Sequence, residues 1–197
     1  MKNNRSHHFF LLLTLLFVTG CASVATPPSV LIRPAQIENI PFGISGRISV
    51  KHKGERTSAT VRWTHSAQED EILLFAPLGK TVARIHKSVD GVTLDTSDKH
   101  YAAPDVESLT QKVLGWSLPL AGLRYWVLAL PSPNSAFEMQ SETNGQVSQL
   151  LQDQWIITYL RYATPAPDSL PLRISLQRGE LSMQLLIDEW EVREVTP

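Results

Sequence analysis

The feature that most limits the fold of this chain is a two-residue alternation of apolar and polar side chains, cut into short stretches by turn residues. Ala59, Val61 and Trp63 alternate with Thr60, Arg62 and Thr64, the period of a strand with one buried face. Ile48 and Val50 alternate with Arg47, Ser49 and Lys51 just before it. The apolar run Glu71–Phe75 ends at Ala76-Pro77-Leu78-Gly79, and Val82–Ile85 and Val92–Leu94 flank Asp90-Gly91, a hairpin signal. Thirteen prolines and ten glycines in 197 residues keep the segments short, which favours strands and turns over long helices.

The middle of the chain changes period. Pro104 is expected as a first helical residue, with Asp105 and Glu107 at the positive end of the helix dipole. Val106, Leu109 and Val113 then recur at helical spacing until Gly115-Trp116-Ser117-Leu118-Pro119 breaks the pattern. A second helix is expected from near Leu120, through Leu123, Trp126, Val127 and Leu130, stopped by Pro131 and Pro133. Strands resume at Phe137–Ser141 and Val147–Leu151, on either side of Asn144-Gly145. Trp155, Ile157 and Tyr159 alternate, as do Leu172, Ile174 and Leu176, and Leu181, Met183, Leu185 and Ile187 after Arg178-Gly179. The order is strands, two helices, strands. Each strand presents an apolar side, and two short helices cannot cover them all. Sheet curvature, the helices or a ligand must complete the burial; a fully packed core and an enclosed cavity both satisfy the pattern.

The N-terminus carries a separate signal. Lys2 and Arg5 precede the apolar run Phe9–Val18, and Val18-Thr19-Gly20 leads into Cys21, the single cysteine. A positive start, a short apolar stretch and a small-residue cleavage site make a secretion signal, and ten residues are too few to span a bilayer. The segment resembles a lipobox, at which bacterial lipoproteins are acylated on the cysteine and cut before it. Residues 1–20 are thus expected to be a signal peptide and 21–42 a lipidated tether containing four prolines, with a domain over 43–197. Ala22 and Ser23 follow the cysteine, and no aspartate stands at the second position, which implies the outer membrane. With no second cysteine there is neither a disulfide nor a cysteine-based metal site. The net charge of −1 gives no footing for nucleic acid.

Several segments together resemble the LolB family of the LolA/LolB group. They are Gly46-Arg47-Ile48-Ser49-Val50, Trp63, Leu73-Leu74-Phe75-Ala76-Pro77-Leu78-Gly79 and Leu114-Gly115-Trp116-Ser117-Leu118-Pro119-Leu120. Leu123-Arg124-Tyr125-Trp126, Leu130-Pro131, Trp155 with Tyr159, and Leu186-Ile187-Asp188-Glu189-Trp190 complete the set, spanning residues 43–192. The stretch between Cys21 and Gly43 is shorter than is usual in that family. The resemblance implies a mainly β (α+β) fold: an incomplete antiparallel β-barrel with a helical lid over a hydrophobic cavity. It implies a monomeric receptor at the periplasmic face of the outer membrane, anchored at Cys21. Such a receptor takes triacylated lipoproteins from the periplasmic carrier LolA and inserts them among the phospholipids of the inner leaflet.

On that reading the acyl-chain cavity is expected to be lined by Ile48, Val61, Trp63, Leu74, Trp126, Val127, Trp155, Ile157, Ile174 and Met183. Broad indoles and an adaptable thioether suit flexible chains. Leu78, an apolar residue between Pro77 and Gly79 at a turn tip, matches the family's protruding loop that delivers cargo to the membrane. Neither a cofactor nor a metal is expected, nor an enzyme. There is no Gly-x-Ser-x-Gly, Walker loop, Gly-x-Gly-x-x-Gly or His-Glu-x-x-His, and His52, His65, His86 and His100 stand apart in sequence. The residues by themselves leave a second class open: a structural or assembly lipoprotein that binds an envelope protein through a sheet edge or apolar patch.

Overall fold

In the computed structural model, residues 41–192 are described apart from Leu78 and Asn134. Eleven strands form one antiparallel sheet. The first group is β1 (Phe42–His52), β2 (Glu55–His65), β3 (Asp70–Phe75), β4 (Thr81–Ser88), β5 (Gly91–Thr96) and β6 (His100–Ala103). Two helices follow, α1 (Val106–Leu114) and α2 (Leu120–Trp126). The second group is β7 (Phe137–Ser141), β8 (Val147–Gln152), β9 (Trp155–Tyr162), β10 (Pro171–Arg178) and β11 (Leu181–Val192).

Across the sheet the order is β6-β5-β4-β3-β2-β1-β11-β10-β9-β8-β7, so β6 and β7 are its free edges and the barrel is not closed. The helical segment joins those two edges, so it crosses from one side of the sheet to the other. The apolar side chains of both strand groups and both helices merge into a single core. A lone sheet with one apolar face must curl for its distant strands to share a core.

Two departures from regular pairing adjust what faces inward. At the β1–β11 seam the register slips between Ser45 and Gly46, where Asp188 is the extra residue. The slip changes the phase of β11, so that Ile187 and Trp190 are both buried although three positions apart. At Gly46 a Cβ would lie 2.1 Å from the Leu186 carbonyl oxygen, so only glycine allows this approach. In β10 a second irregularity beside Arg173 leaves Leu172 half-buried while Pro171, Ile174 and Leu176 face the core.

Both helices differ at their ends from the expectation. Asp105, not Pro104, begins α1: its backbone is extended and its carboxylate accepts from Ser108 N–H at 2.7 Å. Gly115 ends α1 with φ 80°, donating its N–H to Gln111. The α2 helix stops at Trp126 rather than Leu130. Leu128 donates to Tyr125 and Ala129 to Trp126, a tighter turn that ends with Ala129 at φ 56°.

Candidate lipid-accommodating cavity

Between the sheet and the helical crossing lies a void of about 40 Å3 with a wholly apolar wall. The sheet contributes Ile44, Ile48, Val61, Trp63, Ile72, Leu74, Ile85 and Leu185. The lid contributes Leu114 at the end of α1, Trp116 and Leu118 from the connector, and Leu123 from α2. Strand register explains the set: Val61 faces Leu74, Trp63 faces Ile72, and Ile72 faces Ile85. Each pair shares the inward side of neighbouring strands, as two-residue periodicity requires.

The void has a floor and a rim. Trp63, Ile72 and Ile85 are buried, whereas Ile48, Leu74 and Trp116 are only partly covered and Leu114 is exposed. Leu74 is the penultimate residue of β3, immediately ahead of the Ala76–Lys80 turn. That turn is closed by Gly79 N–H to the Ala76 carbonyl and by Ala76 N–H to the Lys80 carbonyl. The rim and the turn therefore occupy the same end of the strands.

A buried carboxylate orients the floor. Asp70, 2% exposed, accepts from Trp63 Nε1 at 3.0 Å and from His65 Nδ1 at 2.7 Å. His65 and Trp63 pack around Phe42, whose ring also meets Trp190 edge-on. The Trp63 indole is thus held in one orientation with its polar atom satisfied, leaving its apolar surface to the void.

The lid is tied to itself. Thr110 Oγ1 donates to the Val106 carbonyl and accepts from Leu118 N–H, each at 2.8 Å. The Gln111 amide donates to the Gly115 carbonyl, and Glu107 accepts from Ala121 N–H at the start of α2. These bonds hold helix, connector and helix together. The last residue of α2, Trp126, and the segment after it are instead tied to the sheet. Gln152 accepts from Trp126 Nε1 and Ser132 N–H, and donates to the Ser132 and Ser135 carbonyls. Tyr159 Oη donates to the Trp126 carbonyl at 2.9 Å.

Of the residues expected to line a cavity, Ile48, Val61, Trp63 and Leu74 converge on the void. Trp126, Val127, Trp155, Ile157, Ile174 and Met183 lie in the close-packed core, each at most 2% exposed. Trp126 and Trp155 meet there at 6.2 Å between ring centroids. The lid residues Leu114, Trp116 and Leu118 were absent from the expected lining, because their segment reads as a helix break. Ile72 and Ile85 were also absent; the two-residue step from Ile72 to Leu74 was the available signal. Pro77 and Gly79 flank the tip of the Ala76–Lys80 turn, while Leu78 and Cys21 lie outside the described residues. Among the described residues no three His, Cys, Asp or Glu side chains converge as a metal site.

Comparison with known proteins follows the same lines. The family model described as "Outer membrane lipoprotein LolB" matches residues 41–190. An outer-membrane lipoprotein LolB of Nitrosomonas europaea is 38% identical over 188 residues, covering 90% of this chain and 89% of that protein. Its counterpart in Thiobacillus denitrificans is 35% identical, with 87% and 90% covered, and that of Chromobacterium violaceum 36%, with 92% and 97%. An open antiparallel half-barrel, an apolar void beneath a helical crossing and this similarity along nearly the whole described fold agree: the chain belongs to the LolB family of outer membrane lipoproteins.

Proposed function

We infer that this domain receives the acyl chains of other lipoproteins from the periplasmic carrier LolA and passes them to the inner leaflet of the outer membrane. The observation that carries the reading is the wholly apolar void, whose rim adjoins the Ala76–Lys80 turn. At about 40 Å3 it is far smaller than the roughly 150 Å3 that holds a single benzene. Cargo therefore enters only when the lid moves aside. The lid's internal hydrogen bonds let it move as a unit, while Gln152 and Tyr159 retain the end of α2 at Trp126 and the chain after it.

The energetics favour exchange over one-way capture. Lifting the lid off the sheet forfeits about 1.5–3 kcal/mol for each of the well-buried Leu118 and Leu123, and less for the half-buried Trp116 and the exposed Leu114. A dozen methylenes entering in their place recover roughly 10 kcal/mol, at ~0.8 each. The two are of the same order, so the lid's own burial offsets a good part of the gain and a chain can be accepted and later released without chemistry. The domain acts as a monomer and makes or breaks no bond.

Membrane attachment is assigned to lipid on Cys21 after removal of residues 1–20, with residues 21–42 as tether. Leu78 is assigned to the bilayer: burying one leucine contributes about 1.5–3 kcal/mol, enough to bias docking and too little to anchor. The test is transfer of a radiolabelled lipoprotein from purified LolA to a Cys21→Ala form beginning at residue 21, then to liposomes, with Leu78→Glu in parallel. Uptake by both forms, with delivery lost in the Leu78 variant, is the expected result. A folded soluble form that takes up nothing overturns the reading.

One observation favours a second reading, an assembly lipoprotein that pairs through a sheet edge. Phe137 and Met139 sit on the free edge strand β7, 48% and 46% exposed. Under that reading Phe137→Lys abolishes partner capture and Leu74→Glu leaves it intact; lipoprotein transfer responds in the opposite way.

A further inference from the structure

On the outer face of the sheet, away from the core, lies a groove of about 450 Å3 at the same end as the Ala76–Lys80 turn. Its floor holds Arg47, Ser49, Ser58 and Thr60, with Phe75 and Pro77 on one flank and Leu186 of β11 on the other. Strand register orders these residues in rows. Arg47 lies opposite Thr60, which lies opposite Phe75; Ser49 lies opposite Ser58; and Lys51 lies opposite Arg56 just beyond.

The last pair is unusual. Like charges directly across an antiparallel pair destabilise it. Lys51 and Arg56 are both exposed, and neither forms an ion pair among the described residues. Lys53 occupies the tip of the same hairpin, where the segment 51–57 holds a single acid, Glu55. An anion placed beside Lys51 and Arg56 relieves their repulsion, and the hydroxyls of Ser49, Ser58 and Thr60 supply neutral donors next to it. The Phe75–Pro77 wall continues into the turn.

We propose that this groove and the β1–β2 hairpin tip dock on the headgroups of anionic phospholipid at the bilayer surface, orienting the cavity rim and the Ala76–Lys80 turn toward the membrane. The occupant follows from charge and shape together. Cations and hydroxyls meet a phosphodiester, and the apolar wall meets the start of the lipid tails. The proposal rests on the domain working at a membrane surface and makes no use of the cavity. Each cation near an anionic surface strengthens binding about fivefold at physiological salt.

The test is sedimentation of the Cys21→Ala form beginning at residue 21 with vesicles of phosphatidylcholine alone, or with one-third phosphatidylglycerol. Binding is expected to be at least twenty-fivefold tighter to the anionic vesicles, about fivefold for each of Lys51 and Arg56, and the preference is expected to shrink as salt rises past the level at which surface charge is screened. The double variant K51Q/R56Q should lose about twenty-fivefold of that preference, at fivefold per cation. R62Q, which removes an exposed cation of the same face outside the groove, should lose little. Equal binding to both vesicles, an unchanged preference in K51Q/R56Q, or an equal loss in R62Q overturns the proposal. Lipoprotein uptake from LolA, measured without vesicles, should be unchanged in K51Q/R56Q, so failure of docking and failure of reception read out separately.

Discussion

Trp126 Nε1 donates to Gln152 Oε1 at 2.8 Å, and that one buried amide also holds both the N–H and the carbonyl of Ser132. A single side chain on β8 therefore fixes the point at which the helical crossing rejoins the sheet. Everything upstream of that point in the lid is bonded mainly to itself.

Gln152→Leu removes these bonds and leaves the Trp126 indole N–H and the Ser132 backbone buried without partners. Each orphaned buried group costs roughly 1–3 kcal/mol, so a loss of about 3 kcal/mol or more is expected. Urea denaturation followed by tryptophan fluorescence measures it; a loss below about 1 kcal/mol means that water or a shifted loop replaces the amide.

Leu74→Glu and Ile157→Val separate the void from the solid core. Leu74 is partly exposed at the rim, so glutamate there is tolerated by the fold but puts a carboxylate where a hydrocarbon chain must pass. Lipoprotein uptake is expected to fall at least tenfold with little change in melting temperature. Ile157 is 0% exposed; its truncation to valine should cost about 0.5–1.5 kcal/mol and leave uptake intact. The reverse pattern would move the cavity to the β8–β11 half of the sheet.

The β8–β9 turn carries strain in a replaceable residue. Asp153 and Gln154 have φ of 50° and 66°, the left-handed region that a two-residue hairpin turn demands. Glutamine has no affinity for it, so Gln154→Gly should raise stability by roughly 1 kcal/mol, a shift of about 2–4 °C in calorimetry. No shift, or a decrease, would show that the gain in unfolded-state freedom cancels the relief of strain.

Asp105 gives the lid a pH dependence. The Ser108 backbone N–H, helped by the Ser108 hydroxyl, holds its carboxyl below the ordinary aspartate value. A depressed value in the folded state stabilises α1 above the unfolded-state value, near 3.9, and the contribution disappears as pH falls through the folded-state value. Asp105→Ala should therefore lower the melting temperature at pH 7, and the gap to the parent should close in strongly acidic buffer. A gap that persists at pH 2 would assign the cap's effect to something other than the charge.

Most of the β architecture was legible because alternation is a local property. Val61 and Trp63 declare an inward face without knowledge of their neighbours, and Asn144-Gly145 declares its turn. The strand order was not legible in the alternation itself. That β1 pairs with β11 depends on the two ends of the domain meeting, and the Asp188 bulge that turns both Ile187 and Trp190 inward has no signature in the alternation of β11.

The same division applies to the site. Sequence by itself determined that the strands present more apolar surface than two short helices can cover, and that a segment resembling a lipidation signal stands before a strand-rich domain. It could not divide the apolar residues between solid core and void, because Ile48 and Ile174 look alike when only neighbours along the chain are known. Tertiary structure decided that division. Where Gln152 pins the end of α2, Trp126, Val127, Trp155 and Ile157 pack together and are almost fully buried. Where the lid only rests on the sheet, beneath Leu114, Trp116 and Leu123, the packing stops short and leaves an apolar gap. Packing density depends on three-dimensional neighbours, and no linear period encodes them.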